Sequence, residues 1–347
     1  MGDICHFRIE KADAEVTSKG LLVRVYYPAN PVYSDKRLGE SLEFGVSTFT
    51  NLIGNGCSEL ASKEFPLNSI GGGALYLFND GKIVCHRRDR HAPTHPLLHG
   101  VCSGFPDKAG KVASAEELYA VGLRESVEEC LFITRSSPQK ILAPRDGLEL
   151  AKKTAKNLGL ELELVACDFQ TLRGQDTLEV YDDSGRNLFT ANGLIDFLYE
   201  TQTAMNLSCV RLLPFSSREA VPLDAEGMKK DGKFIHFNRE SYIIPLSDLN
   251  GRMFGDVLDN PEVYQANISR GKPNFHTPLY SPPYLGPDCV KVNHPHVWAP
   301  DNLLTRALDY LGVKGYAGKW KEIELWKEKS RLERRSLIPK RLVNQSG

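Results

Sequence analysis

Residues 110–129, GKVASAEELYAVGLRESVEE, constrain the fold of this chain more than any other stretch of it. Ser114-Ala-Glu-Glu117 is a capping box, a serine N-cap followed three residues later by a glutamate that returns to its backbone. It predicts a helix running to about Leu131. On that helix Glu125, Glu128 and Glu129 are related as i, i+3 and i+4, so they lie on one side, where like charges repel. The nearby relief is Arg124. Gly122, inside the same helix, costs about 1 kcal/mol relative to alanine. A helix selected for stability alone would avoid both features. A hard divalent cation removes the conflict, because Mg²⁺ takes a few carboxylates together with phosphate oxygens and water.

The full spacing is G-x5-E-x7-R-E-x2-E-E, formed by Gly110, Glu116, Arg124, Glu125, Glu128 and Glu129. At ordinary residue frequencies a chance match at one starting point is on the order of 10⁻⁷, so a merely solvated acidic face is disfavoured. Residues 110–132 resemble the signature of the Nudix hydrolases, G-x5-E-x7-R-E-U-x-E-E-x-G-U, where U is a bulky apolar residue. Ser126 stands where an apolar residue is usual, Leu131 replaces the second glycine, and Phe132 fits the last apolar position. The resemblance implies a loop–helix–loop that holds Mg²⁺ or Mn²⁺ against a diphosphate. Glu125, Glu128 and Glu129 would be the ligands, with the backbone at Gly110 closing the site. Arg124 and Glu116 would form an orienting ion pair. The implied reaction is attack of water on phosphorus in a nucleoside diphosphate joined to another group. The general base is left open.

The rest of the chain is compatible with a Nudix-like α/β (α+β) fold, a mixed β-sheet sandwiched between helices with additions at both ends. Three segments are expected: a partly β N-terminal extension (1–70), a catalytic domain (71–250), and a Pro-rich strap with a C-terminal helical region (251–347). Leu21–Tyr27 reads as a strand. Gly71–Gly73 reads as a flexible lead-in to a strand at Ala74–Phe78, and Asn79-Asp80-Gly81 as a hairpin turn to a returning strand at Lys82–Arg88. Asp146 is expected to cap a second helix with Leu148, Ala151, Ala155 and Leu158 on one face, closed by Gly159. Strands are expected at Leu160–Leu164, on both sides of the turn Asp182–Gly185, and at Phe234–Phe237 and Tyr242–Leu246. Asp301 opens a helix with Leu303, Leu304, Ala307, Leu308 and Leu311 as its apolar stripe. Lys319–Arg341 reads as an amphipathic basic helix diluted by glutamates.

Composition limits the partners. A net charge of −1 over 347 residues gives no global attraction to nucleic acid or to an acidic membrane, so neither is an expected partner; a homodimer is compatible. The eight cysteines are scattered without a C-x-x-C pair, which fits reduced thiols. The opening MGDICHFRIEKADAE lacks a signal-type apolar core, and no apolar run nears the roughly 20 residues needed to span a bilayer. A cytoplasmic protein is expected.

Further candidates surround the glutamate segment. Arg87, Arg88 and Arg90, with Lys108 and Lys111, are positioned in the sequence to reach substrate phosphates. His86, His91, His95 and His99 are equally spaced in part, but Pro93 and Pro96 break any helix that would align them as a metal cluster. Trp298 in His-Pro-His-Val-Trp reads as a buried anchor for the strap, with base stacking as the alternative. Glu200 is a late-glutamate candidate for a base or an extra ligand. Two other functions remain open: a nucleotide-binding module of the same fold without turnover, and an isopentenyl diphosphate isomerase-like enzyme using Cys102 before the glutamate segment.

Overall fold

The computed structural model describes residues 11–26, 69–88, 98–104, 114–165, 169–182, 184–197, 204–223, 238–259, 261–265 and 296–319. The strands β1 (Lys11–Val16) and β2 (Leu21–Tyr26) are followed by β3 (Ser69–Leu77), β4 (Lys82–Arg88), β5 (His99–Gly100) and β6 (Cys102–Gly104). The glutamate segment then forms helix α1 (Ala115–Glu129). After it come β7 (Leu131–Thr134), β8 (Lys140–Ala143), helix α2 (Leu148–Leu158) and β9 (Glu161–Leu164). Then β10 (Gln170–Arg173), β11 (Asp176–Tyr181), β12 (Asn187–Phe197), β13 (Ala204–Leu212), β14 (Ala220–Leu223), β15 (Asn238–Pro245) and β16 (Glu262–Gln265) lead to helix α3 (Asn302–Tyr310).

The protein is a mixed α/β structure dominated by strands. The main sheet has the order β1-β2-β11-β12-β13-β3-β4-β15-β16, with β10, β5 and β6 paired to its sides. Along that path β2–β11 and β13–β3 are parallel and the other pairs antiparallel. A second sheet, β14-β7-β8-β9, carries α2. Helix α1 packs on β3 and β13 from one side of the main sheet, whereas α3 packs on β12 and β13 among the apolar residues of the other side. β4 shows how alternation divides these faces: Val84 joins the core that holds Val127 of α1, while Ile83 and Cys85 join the core around Trp298 and Leu304.

The expected hairpin forms at Asn79-Asp80-Gly81. The Phe78 N–H donates to the Lys82 carbonyl at 2.8 Å, and Gly81 adopts φ 76°, which glycine tolerates without strain. Asp301 caps α3 through the Leu304 N–H at 2.8 Å, and Gly159 ends α2 in the left-handed region. Trp298 is buried as expected, and its Nε1–H donates to the Tyr316 hydroxyl at 2.6 Å; residues 272–295 of the Pro-rich strap lie outside the described residues.

Two expectations need correction. Gly71–Gly73 do not lead into a strand; they lie inside β3, where Gly72 and Gly73 meet α1. Asp146 does not cap α2, whose N-cap is Gly147 with no side-chain hydrogen bond; Asp146 sits in a 3-10 turn (Arg145–Gly147) and gives its carboxylate to Arg211. Its distant cation outcompetes the local cap. The described strands of the N-terminal extension join the main sheet: β2 continues it by parallel pairing with β11, from Leu22 opposite Thr177 to Tyr26 opposite Tyr181. Asp176 fixes this junction, because its buried carboxylate accepts the N–H groups of Leu21 and Ile195 at 2.9 Å each and pairs with Arg306 of α3. Phe234–Phe237 and nearly all of Lys319–Arg341 lie outside the described residues.

Candidate functional site

Helix α1 begins as its sequence demands. Ser114 is extended (φ −151°) and its Oγ accepts the Glu117 N–H at 3.3 Å. At the other end Cys130 is already extended (φ −147°), so the chain passes straight into β7, and Leu131 needs no glycine's freedom. Phe132 then packs edge-on to Tyr76, with ring centroids 5.0 Å apart.

The seat of α1 on the sheet is made of glycine. A Cβ on Gly122 would stand 2.7 Å from both the N and O of Gly73. A Cβ on Gly72 would meet the Gly122 N and Leu118 O at 2.5 Å. Helix and strand backbones therefore touch, and the propensity loss at Gly122 has its reason in this approach.

The approach brings the glutamates over β6. Glu129 Oε2 accepts the Ser103 N–H at 3.1 Å. The half-buried Glu125 takes the Arg124 guanidinium at 2.5 Å and stands against Gly104, where any Cβ would collide with its carboxyl group. Glu128 is more open; its Oε1 is 3.7 Å from Arg124 Nε. Burial raises its carboxyl pKa above the ordinary range, with Arg124 pulling the other way. Glu116 is exposed in the first turn, and the ion pairs of Arg124 with described residues go to Glu125 and Glu128, not to Glu116.

Beside Ser103 lies a buried polar row that sequence reasoning missed. Cys102 Sγ is 3.3 Å from His86 Nε2, and His86 Nδ1 is 3.0 Å from Ser241 Oγ. The sequence marks Cys102 without these neighbours, which come from β4 and β15 and which no local pattern joins. His99 belongs elsewhere. It lies fully buried against Trp298 and Tyr242, accepts the Ala299 N–H on Nδ1 at 3.3 Å, and has its pKa lowered to about 3, first by burial and then by Arg87. The two described histidines of this segment, His86 and His99, thus have different neighbours.

Arg87 is a correction. It reaches Glu240 at 3.2 Å on the side of the sheet where Tyr242 packs, away from α1, and its charge is neutralised there. Strand alternation turned the side chain to the far face, a placement that an Arg-Arg dipeptide does not reveal. Arg88, one residue on, shares the face of His86 and remains a phosphate candidate. Arg90, His91, His95, Lys108, Gly110, Lys111 and Glu200 lie outside the described residues.

The donor set suits a hard cation. Three carboxylates lie within one turn of helix, and the burial that penalises the Glu128 charge is relieved by a cation beside it. Among the described residues, however, no three His, Cys, Asp or Glu side chains are gathered as a ligand group. Glu125 and Glu129 are engaged instead by Arg124 and by the Ser103 N–H.

Neither protein-family models nor curated proteins gave a match. The resemblance accordingly rests on residues 110–132. The geometry explains both departures within it: Leu131 serves a direct helix-to-strand exit, and Ser126, fully buried, accepts a hydrogen bond from Arg211 at 3.1 Å. Among the described residues no helix is long and apolar enough to cross a membrane.

Proposed function

We propose that this protein is a divalent-cation-dependent pyrophosphohydrolase that cleaves the phosphoanhydride of a nucleoside diphosphate linked to another group. The observation that carries this reading is the row Glu125, Glu128 and Glu129 on a helix pressed backbone-to-backbone onto β3, with Ser103 and Gly104 facing it. Glu125, Glu128 and Glu129, with Gly110 beside them by resemblance, would hold Mg²⁺ or Mn²⁺. When bound, the cation supplies neutralisation of phosphate charge and an acidified water. Arg124 holds Glu125 and Glu128 on one flank of the helix. The Ser103 N–H fixes Glu129. Arg88 offers a guanidinium to substrate phosphates from the same face of the sheet.

A Nudix-like sheet between helices is supported by the position of α1 and α3 on opposite faces of the mixed main sheet. Among the described residues Cys85, Cys102, Cys130 and Cys209 form no disulfide, which supports a reducing compartment.

The test is a panel of nucleotide sugars, dinucleotides, nucleoside triphosphates and capped nucleotides with Mg²⁺ or Mn²⁺, with products identified by mass. Release of a nucleoside phosphate by the wild type, lost in Glu128→Gln, supports the hydrolase. A second reading, a nucleotide-binding module without turnover, draws on the side chains of the three glutamates not being gathered. Tight binding across the panel with no product in either metal favours it.

A further inference from the structure

We propose that Arg211 is a positioning residue for the glutamate helix, acting through Ser126, so that the ligand-bearing face of α1 is set by a buried cation that touches neither metal nor substrate. The inference rests on the metal-site reading above.

Arg211 lies on β13 and is 2% exposed. Its Nη1 donates to Ser126 Oγ at 3.1 Å. Its Nη2 donates to Asp146 Oδ1, and its Nη1 lies as close to Asp146 Oδ2, both at 3.1 Å. The guanidinium also stands over the Phe169 ring at 5.1 Å. Planar, bidentate contacts of this kind fix orientation as well as charge. Ser126 donates its own proton to the Leu123 carbonyl at 2.7 Å, which leaves the hydroxyl oxygen to accept from Arg211. Asp146 is itself held near α1, since the neighbouring Gly147 abuts Val127 so closely that a Cβ would collide with it.

Ser126 and Gly122 are one turn apart and share a face of the helix. The glycine contact sets how near α1 comes to β3. The Arg211 contact is directional and sets its rotation. Glu125 and Glu129 flank Ser126 at −1 and +3, so rotation of this turn moves both carboxylates relative to Ser103 and Gly104. A buried ion pair alone would need no serine on the helix. Arg211 already has a bidentate carboxylate, yet the position is polar where an apolar side chain would pack. The hydroxyl is thus what ties the cation to the helix.

The experiment uses full-length Ser126→Ala and Asp146→Asn. Mn²⁺ affinity is read by electron paramagnetic resonance titration, and exchange of the α1 amides by mass spectrometry. Loss of a residue that orients a ligand typically weakens metal binding by about tenfold or more. Both variants are expected to bind Mn²⁺ at least that much more weakly and to exchange faster at residues 123–129 than wild type, while the β11–β12 amides keep their protection. Ser126→Ala and Asp146→Asn with unchanged Mn²⁺ affinity and unchanged α1 exchange would overturn the inference. If the wild-type chain binds no Mn²⁺, the metal reading fails separately. The exchange comparison then decides alone: faster exchange confined to α1 upholds the positioning role, and unchanged exchange removes it.

Discussion

Gly122→Ala sets two effects of opposite sign against each other. As a change in an exposed helix it would stabilise by about 1 kcal/mol through helix propensity alone. In this structure the added Cβ lands 2.7 Å from the N and O of Gly73 and 3.1 Å from its carbonyl carbon. That is roughly 0.7 Å inside ordinary contact. The clashing atoms are backbone in the middle of β3, which pairs with β13 on one side and with β4 and β6 on the other, so no side chain can swing away. Overpacking of this kind costs about 1–3 kcal/mol, and with backbone on both sides the upper end applies. The net expectation is destabilisation by about 2 kcal/mol, read as the shift in the urea midpoint at unchanged slope. The same shift lifts Glu125 and Glu129 off β6, so Mn²⁺ binding should weaken as well. A variant more stable than wild type by about 1 kcal/mol, with Mn²⁺ affinity intact, would refute the seat.

Other perturbations read other parts of the molecule. Asp176→Ala strands the Leu21 and Ile195 N–H groups and the Arg306 charge, and should destabilise by about 3–5 kcal/mol in urea denaturation. His99 has its pKa lowered to about 3, so the unfolded chain takes up the proton first; stability is complete above pH 6.5 and falls as the pH drops from there toward 3. Two pH units below 6.5 should cost about 3 kcal/mol, and His99→Gln should flatten that part of the stability–pH curve. For Glu128 the sign is reversed: its raised pKa means that its charge is unfavourable above the carboxylate range. Glu128→Gln should therefore fold at least as stably as wild type at pH 7, by less than about 1 kcal/mol because the side chain is 45% exposed. The two should converge near pH 4, while turnover is abolished in the variant.

Features whose partners are near in sequence could be read before the structure. The Ser114 cap, the Asn79-Asp80-Gly81 turn, the left-handed Gly159 and the Asp301 cap each depend on a few adjacent residues, and each is found as expected. What escaped depends on distant partners. Asp146 has the sequence position of a cap, yet its partner Arg211 is 65 residues away. Arg87 and Arg88 look alike as phosphate candidates, because nothing in the sequence shows which face of β4 meets α1. Gly71–Gly73 read locally as a flexible lead-in and Gly122 as a propensity cost; only the pairing of Gly72 and Gly73 with Gly122 gives contact between two backbones. Ser126 at an apolar position carried a similar signal, a buried polar group in need of a partner. The three glutamates proposed as metal ligands are legible because one helical turn holds them all. The surface they face, Ser103 and Gly104 with Cys102 and His86 beside them, was not, because it is assembled from separate strands.

The most direct test is anomalous scattering from a crystal soaked in Mn²⁺. One peak about 2.1 Å from carboxylate oxygens of Glu125, Glu128 and Glu129, with Arg124 drawn off Glu125, is the predicted result. No peak along α1, with Glu125 still on Arg124 and Glu129 still on the Ser103 N–H, would contradict the account.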